Sequence, residues 1–234
     1  MSATTNHRST DAPATGLPPL PDQAERLIGL GVHDLAGITA SGLRVAADRL
    51  AATAPPGALL VVHPTLVPPS VLAPVLRRGE RTGFVVEDMT DVDAFAPIAG
   101  AEAPVGAGAV YAVHGLDRGD AMAGWTPDAA LPAITAAGRT PLTLAEGIHW
   151  ALQRPDVLER NHCFMTIGSR LTRPDGRLDA RTPALWISNG TGRDGPARRD
   201  APKVGWCWAG NHHTWLGFAS AAGRTAAAAA EPAG

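Results

Sequence analysis

The sequence predicts an α+β fold: an N-terminal helical section, a short parallel βαβ part and a mostly antiparallel C-terminal sheet. Three observations lead there. The first 50 residues carry helical apolar spacing. Between residues 58 and 113, short apolar runs are separated by stretches long enough for helical crossovers. After residue 161, strand-like runs follow one another closely, as in antiparallel sheets.

In the first section, Asp22-Gln-Ala-Glu25 has the form of a capping box, and Gly29 and Gly31 end the helix that it opens. A second helix follows Ser41, where Leu43, Ala46, Ala47 and Leu50 make one stripe. The run Ala58–Val62 then reads as a buried strand. Ser70 caps a helix through Leu76, with Pro74 weakening it. Phe84–Val86 and Gly108–Val113 are the next two runs. About 20 residues between the first two allow a crossover helix, which predicts parallel strands with a right-handed connection.

Thr126-Pro127-Asp128 places a cap, an N1 proline and an acidic first turn, and Pro132 divides the helix that follows. Thr143 and Glu146 form a second capping box. Leu144, Ile148, Ala151 and Leu152 make its stripe, and Trp150 points elsewhere, to a second layer or to solvent. Cys163–Ile167, Ala184–Ile187, Val204–Trp208 and Thr214–Phe218 are strands. The last two are expected to form a hairpin around residues 210–213. Residues 1–19 are expected to be a disordered arm, 20–224 a single α+β domain, and 225–234 a disordered tail.

Composition narrows the class. The chain has 234 residues, 45% apolar and 18% charged, which suits a globular protein with a core. Its 26 Gly and 21 Pro predict much loop. Residues 1–160 hold 11 basic and 17 acidic side chains, whereas residues 161–234 hold 9 and 5. That modest basic excess is no nucleic-acid footprint. No apolar run reaches the ~20 residues of a membrane span. The N-terminus lacks an apolar signal core, and two cysteines are too few for a disulfide framework. A cytoplasmic protein with reduced thiols, no nucleic acid, no membrane and a small molecule as partner is expected.

Three segments carry a resemblance: Glu-Arg-Asn-His-Cys-Phe-Met-Thr-Ile-Gly-Ser-Arg (159–170), Pro-Ala-Leu-Trp-Ile-Ser-Asn-Gly (183–190) and Lys-Val-Gly-Trp-Cys-Trp-Ala-Gly-Asn-His-His-Thr-Trp-Leu-Gly-Phe-Ala-Ser-Ala (203–221). Over about residues 20–224 the chain resembles an uncharacterised actinobacterial family, a domain of unknown function. The resemblance implies a bacterial, cytoplasmic, single-domain protein and brings no reaction, cofactor or catalytic residue.

Site candidates come from the residues themselves. His162, Cys163 and His213 are the candidate catalytic groups, because imidazole exchanges protons near neutral pH and can activate a thiol. Trp206, Trp208 and Trp215 offer apolar faces for binding. Cys207 and His212 belong to the same stretch. Cys and His are zinc ligands, yet no Cys-x-x-Cys pair is present, and no metal or cofactor is assigned.

His63, Glu87, Asp88 and His114 follow the three apolar runs. They gather at one sheet edge if those strands are parallel, which makes Asp88 and His114 further binding candidates. Asp88, Asp91 and Asp93 form an acidic cluster. Arg193, Arg198 and Arg199 lie on a glycine-bearing loop that can close over an anion. No Walker loop, His-Glu-x-x-His or Gly-x-Ser-x-Gly occurs. Two functions fit this pattern: a small-molecule enzyme with a His/Cys/Trp-lined pocket, or a non-catalytic ligand- or protein-binding module that uses a Trp-rich sheet face.

Overall fold

The computed structural model describes residues 16–227. Residues 1–15 and 228–234 of the expected arm and tail lie outside it. Helices α1 (Leu20–Gly29), α2 (Val32–Leu35) and α3 (Ala40–Ala51) open the fold. Pro19, not Asp22, stands at the cap of α1, and Pro21 lies in its first turn, where a missing N–H costs nothing. Thr39 caps α3 by accepting the Gly42 N–H. Leu43, Ala47 and Leu50 of the expected stripe are fully buried, and each leucine contributes roughly 1.5–3 kcal/mol.

The short parallel βαβ part does not form, although the mixed α+β character holds. Strand β1 (Leu59–Val62) is followed by the one-turn helix α4 (Pro69–Leu72), which ends before Leu76. Strand β2 (Phe84–Val85) comes next, then β3 (Val110–His114). β1 and β3 pair antiparallel, with Leu59 opposite Val113. β2 leaves for a different sheet. All four residues of β1 are buried, so the strand has no polar face to fix a direction.

Helix α5 (Pro127–Ala136) runs unbroken through Pro132, and its cap Thr126 accepts the Ala129 N–H. Helix α6 (Leu144–Gln153) begins with the predicted Thr143–Glu146 capping box. Strands β4 (Cys163–Met165), β5 (Arg181–Ile187), β6 (Pro202–Trp208), β7 (Leu216–Phe218) and β8 (Gly223–Ala226) complete the larger elements. Thr225 and Ala226, expected to open the disordered tail, belong instead to β8.

Two sheets organise the core. One has the order β1-β3-β8, and the other β7-β4-β5-β6-β2. The second is not a simple antiparallel array. β4-β5 and β5-β6 are antiparallel, while β7 runs parallel to β4 and β2 parallel to β6. β6 and β7 therefore form no hairpin, since β4 and β5 stand between them.

Helix α6 lies between the two sheets, and all ten of its residues are buried. Glu146 faces Tyr111 and Arg224 of the first sheet. A Cβ on the adjacent Gly147 would come 2.5 Å from Thr166 Cγ2 and 3.2 Å from a Leu185 methyl, so the helix seats on the second sheet only without one. Trp150 turns to this second layer, with its ring centre 5.3 Å from that of Phe164. A smaller apolar cluster joins Ala130 and Ile134 of α5 to Cys163, Met165, Ala184, Leu216 and Phe218. No helix of the described residues is long and apolar enough to cross a membrane.

Candidate functional site

The five-stranded sheet and the turns that flank its strands carry most of the predicted site residues but distribute them. Trp208 stands opposite Arg181 at one end of β5, whereas Phe164, next to Cys163, stands opposite Leu185. Four residue steps separate these positions, about 13 Å along the strand. The structure thus divides the cluster into a Trp206–Trp208–His213 end and a His162–Cys163–Trp215 end.

At the first end, Trp206 packs against the main core and meets Trp208 edge-on, with ring centres 4.5 Å apart. Trp208 is 47% exposed. The two histidines of the following turn are engaged with backbone. His213 Nε2 lies 3.3 Å from the Trp208 carbonyl, and His212 Nδ1 lies 2.7 Å from the Gly124 carbonyl. Backbone bonds from His213 to Trp125 and from Gly124 to His213 fix the turn against the chain before α5. Burial moves the His213 pKa downward, which keeps the ring neutral near pH 7.

At the second end, a cleft of about 230 Å³ is lined by Glu159, Arg160, Asn161, Cys163, Ile187, Asn189 and Trp215. Residues 159–162 make a tight turn: the Glu159 N–H donates to the His162 carbonyl and the His162 N–H to that of Glu159. Asn161 takes a left-handed φ of 63°, which asparagine tolerates better than most residues. Arg160 donates to Asn189 Oδ1 at 2.8 Å and also pairs with Asp200, so its guanidinium is held in place. The Trp215 indole is 39% exposed and meets Trp186 edge-on.

Cys163 is buried, and its thiol donates to the Glu159 carbonyl at 3.0 Å. Burial pushes its pKa up to about 11, against a smaller opposing effect from backbone amides and Arg118. Cys207 is likewise pushed up to about 11 by burial. Both are free cysteines. His162 is the exposed sequence neighbour of Cys163. Successive residues of a strand point to opposite faces, so it is poorly placed to take the thiol proton.

The strand-end constellation does not assemble. Because β1 and β3 are antiparallel, His63 lies beside Ala109, at the opposite end of the pair from His114. His63 Nδ1 contacts the Thr65 hydroxyl at 2.7 Å, and the His114 ring packs over Gly223. Asp88 lies in the turn that follows β2 of the other sheet, where it pairs with Arg193. The three clustered aspartates have separate partners. Arg181 holds Asp91 with two bonds of 2.9 and 2.7 Å, and Ser70 holds Asp93. Among the described residues no group of three or more His, Cys, Asp or Glu side chains is arranged to hold a metal ion.

Arg160, Asn161 and Asn189 were not among the residues singled out from the sequence. Their signal was present in two places, Glu-Arg-Asn-His-Cys and Ser-Asn-Gly, both inside the segments that carry the family resemblance. Polar residues at such turns serve solvation by default, and only the fold brings the two turns together. No curated protein and no solved structure matches the chain. Residues 26–227 match DUF5701, a family of unknown function, and with most of its length matched the chain belongs to that family.

Proposed function

We propose that the protein is a non-catalytic binding module that takes a small polar molecule in the cleft beside Trp215. One observation carries this reading: a partly exposed indole, the side chains of Asn161 and Asn189 and the fixed guanidinium of Arg160 share one cleft. An apolar face with a few convergent polar groups is the usual make-up of a ligand site. The volume of about 230 Å³ lies below the ~300 Å³ at which drug-sized sites begin, so the occupant is small. The Cys163 thiol, protonated at neutral pH and engaged with a carbonyl, supports binding over nucleophilic catalysis. A cytoplasmic setting belongs to the same proposal, supported by two thiols that are free in the fold.

The test is a thermal-shift screen of the full chain against free amino acids and monosaccharides. At least one class should raise the melting temperature, and the rise should disappear in Trp215→Ala and in Asn161→Ala. It should persist in Cys163→Ser. A rise that survives both cleft variants places the ligand elsewhere, and turnover that Cys163→Ser abolishes makes the protein an enzyme.

A further inference from the structure

A second cleft, of about 320 Å³, lies on the other edge of the five-stranded sheet. It is built by the long loop between β5 and β6. Ser188 pairs with Ala201 and Asp200 at the base of this loop, which then reaches over the residues that follow β2. Gly190 makes the closure possible, because a Cβ there would come 2.5 Å from that of Arg199. The loop brings Arg193 and Arg198 to the cleft, β6 brings Lys203, and the chain after β2 brings Glu87 and Asp88.

The charges are arranged in two layers. The inner pair is Lys203 and Asp194, only 15% and 11% exposed, with two contacts of 2.7 and 2.9 Å. The Ser188 hydroxyl also donates to Asp194, and the Lys203 ammonium lies over the Trp186 ring at 4.9 Å. This layer is fixed and neutral as a unit. The outer layer is wet. Arg193 pairs with Asp88 at 2.6 Å and Arg198 with Glu87 at 3.8 Å. Arg198 is held from below by the Phe84 ring, 4.4 Å from its guanidinium carbon.

We infer that this cleft binds the doubly negative group of a small molecule, a phosphate ester or a dicarboxylate, on Arg193 and Arg198. Exposed ion pairs contribute little, so an incoming oxyanion displaces Asp88 and Glu87 at small cost. It receives in return two planar guanidinium forks, the donors best matched to paired oxygens. Arg198 keeps its place on Phe84 whichever anion it holds. A cation is poorly served, because Asp194 is already engaged by Lys203 and Ser188, leaving two carboxylates that face arginines.

The proposal is independent of the Trp215 cleft and is tested apart from it. Full-length protein at low ionic strength is titrated calorimetrically with inorganic phosphate, succinate and magnesium chloride. Phosphate or succinate, whichever source supplies the dianion, should bind saturably. Arg193→Gln should weaken that binding about tenfold or more. Asp88→Asn removes the internal competitor and should tighten it about two- to fivefold. Both side chains are exposed or half-exposed, and circular dichroism should show both variants folded. Binding of magnesium that Asp88→Asn abolishes would overturn the inference, as would anion binding unchanged in Arg193→Gln, or no binding of either anion.

Discussion

His149 and Val62 complete the outer edge of the three-stranded sheet. The Val62 N–H, which has no strand beyond it among the described residues, donates to His149 Nε2 at 3.2 Å. An amide N–H only donates, so Nε2 is the acceptor. Nδ1 therefore carries the proton and donates to the Ala145 carbonyl at 2.8 Å. Two residues back along the same edge, the Leu60 N–H donates to Gln23 Oε1 at 2.8 Å, while Gln23 Nε2 donates to the Ala58 carbonyl. Two side chains thus take the place of strand partners along this edge, and its outward amides are satisfied.

This geometry ties stability to pH. His149 is fully buried and burial lowers its pKa to about 4, below the ordinary 6.5. The unfolded chain therefore binds a proton at higher pH than the folded one. The contribution is complete above about pH 6.5, falls as pH drops from there to about 4, and amounts to roughly 3 kcal/mol at most. Urea unfolding at a series of pH values should show this decline. His149→Gln supplies an acceptor that does not titrate, as Gln23 does for Leu60, and should flatten the slope over that interval.

Breaking the buried pair between Glu146 and Arg224 should cost far more than a surface ion pair. Arg224 meets both carboxylate oxygens, at 2.6 and 2.8 Å, with the two side chains 6% and 0% exposed. The same carboxylate accepts the Thr143 N–H and the Tyr111 hydroxyl. Arg224→Met leaves a buried charge without its cation and should destabilise the fold by about 3–5 kcal/mol in urea unfolding. Adding Glu146→Gln should recover part of that loss, so the double variant should be less destabilised than the sum of the singles.

Thiol chemistry tests the reading that Cys163 does not act as a nucleophile. With both cysteines pushed up to about 11, the thiolate fraction at pH 7.5 falls roughly 100-fold below that of an ordinary cysteine. Native protein should react slowly with iodoacetamide, and two free groups should titrate after unfolding in urea without reductant. Rapid modification of native Cys163 would contradict its buried, carbonyl-bonded state.

The local grammar of the chain was legible in its residues. The caps at Thr126 and Thr143, the stripe of α3, the apolar run of β1 and the strand segments after residue 161 all depend on contacts within a few positions, and they formed where the spacing placed them. Glu146 shows where that legibility ends. Its position three residues after Thr143 predicts a capping box, but nothing nearby announces that Arg224, 78 residues away, takes the same carboxylate.

Strand partners were decided by the tertiary structure alone. Leu59-Leu-Val-Val62 is apolar at every position, so it encodes burial and not direction or neighbour. It paired antiparallel with Val110–His114, while Phe84–Val85, the parallel partner expected through a crossover helix, joined another sheet. The candidate sites followed those choices. His63 and His114 separated because β1 and β3 are antiparallel, and Cys163 met Asn189 and Trp215 because β4 lies between β5 and β7. Side-chain chemistry is carried by single residues, but convergence depends on which backbone edges find one another, and that is settled by packing the whole core.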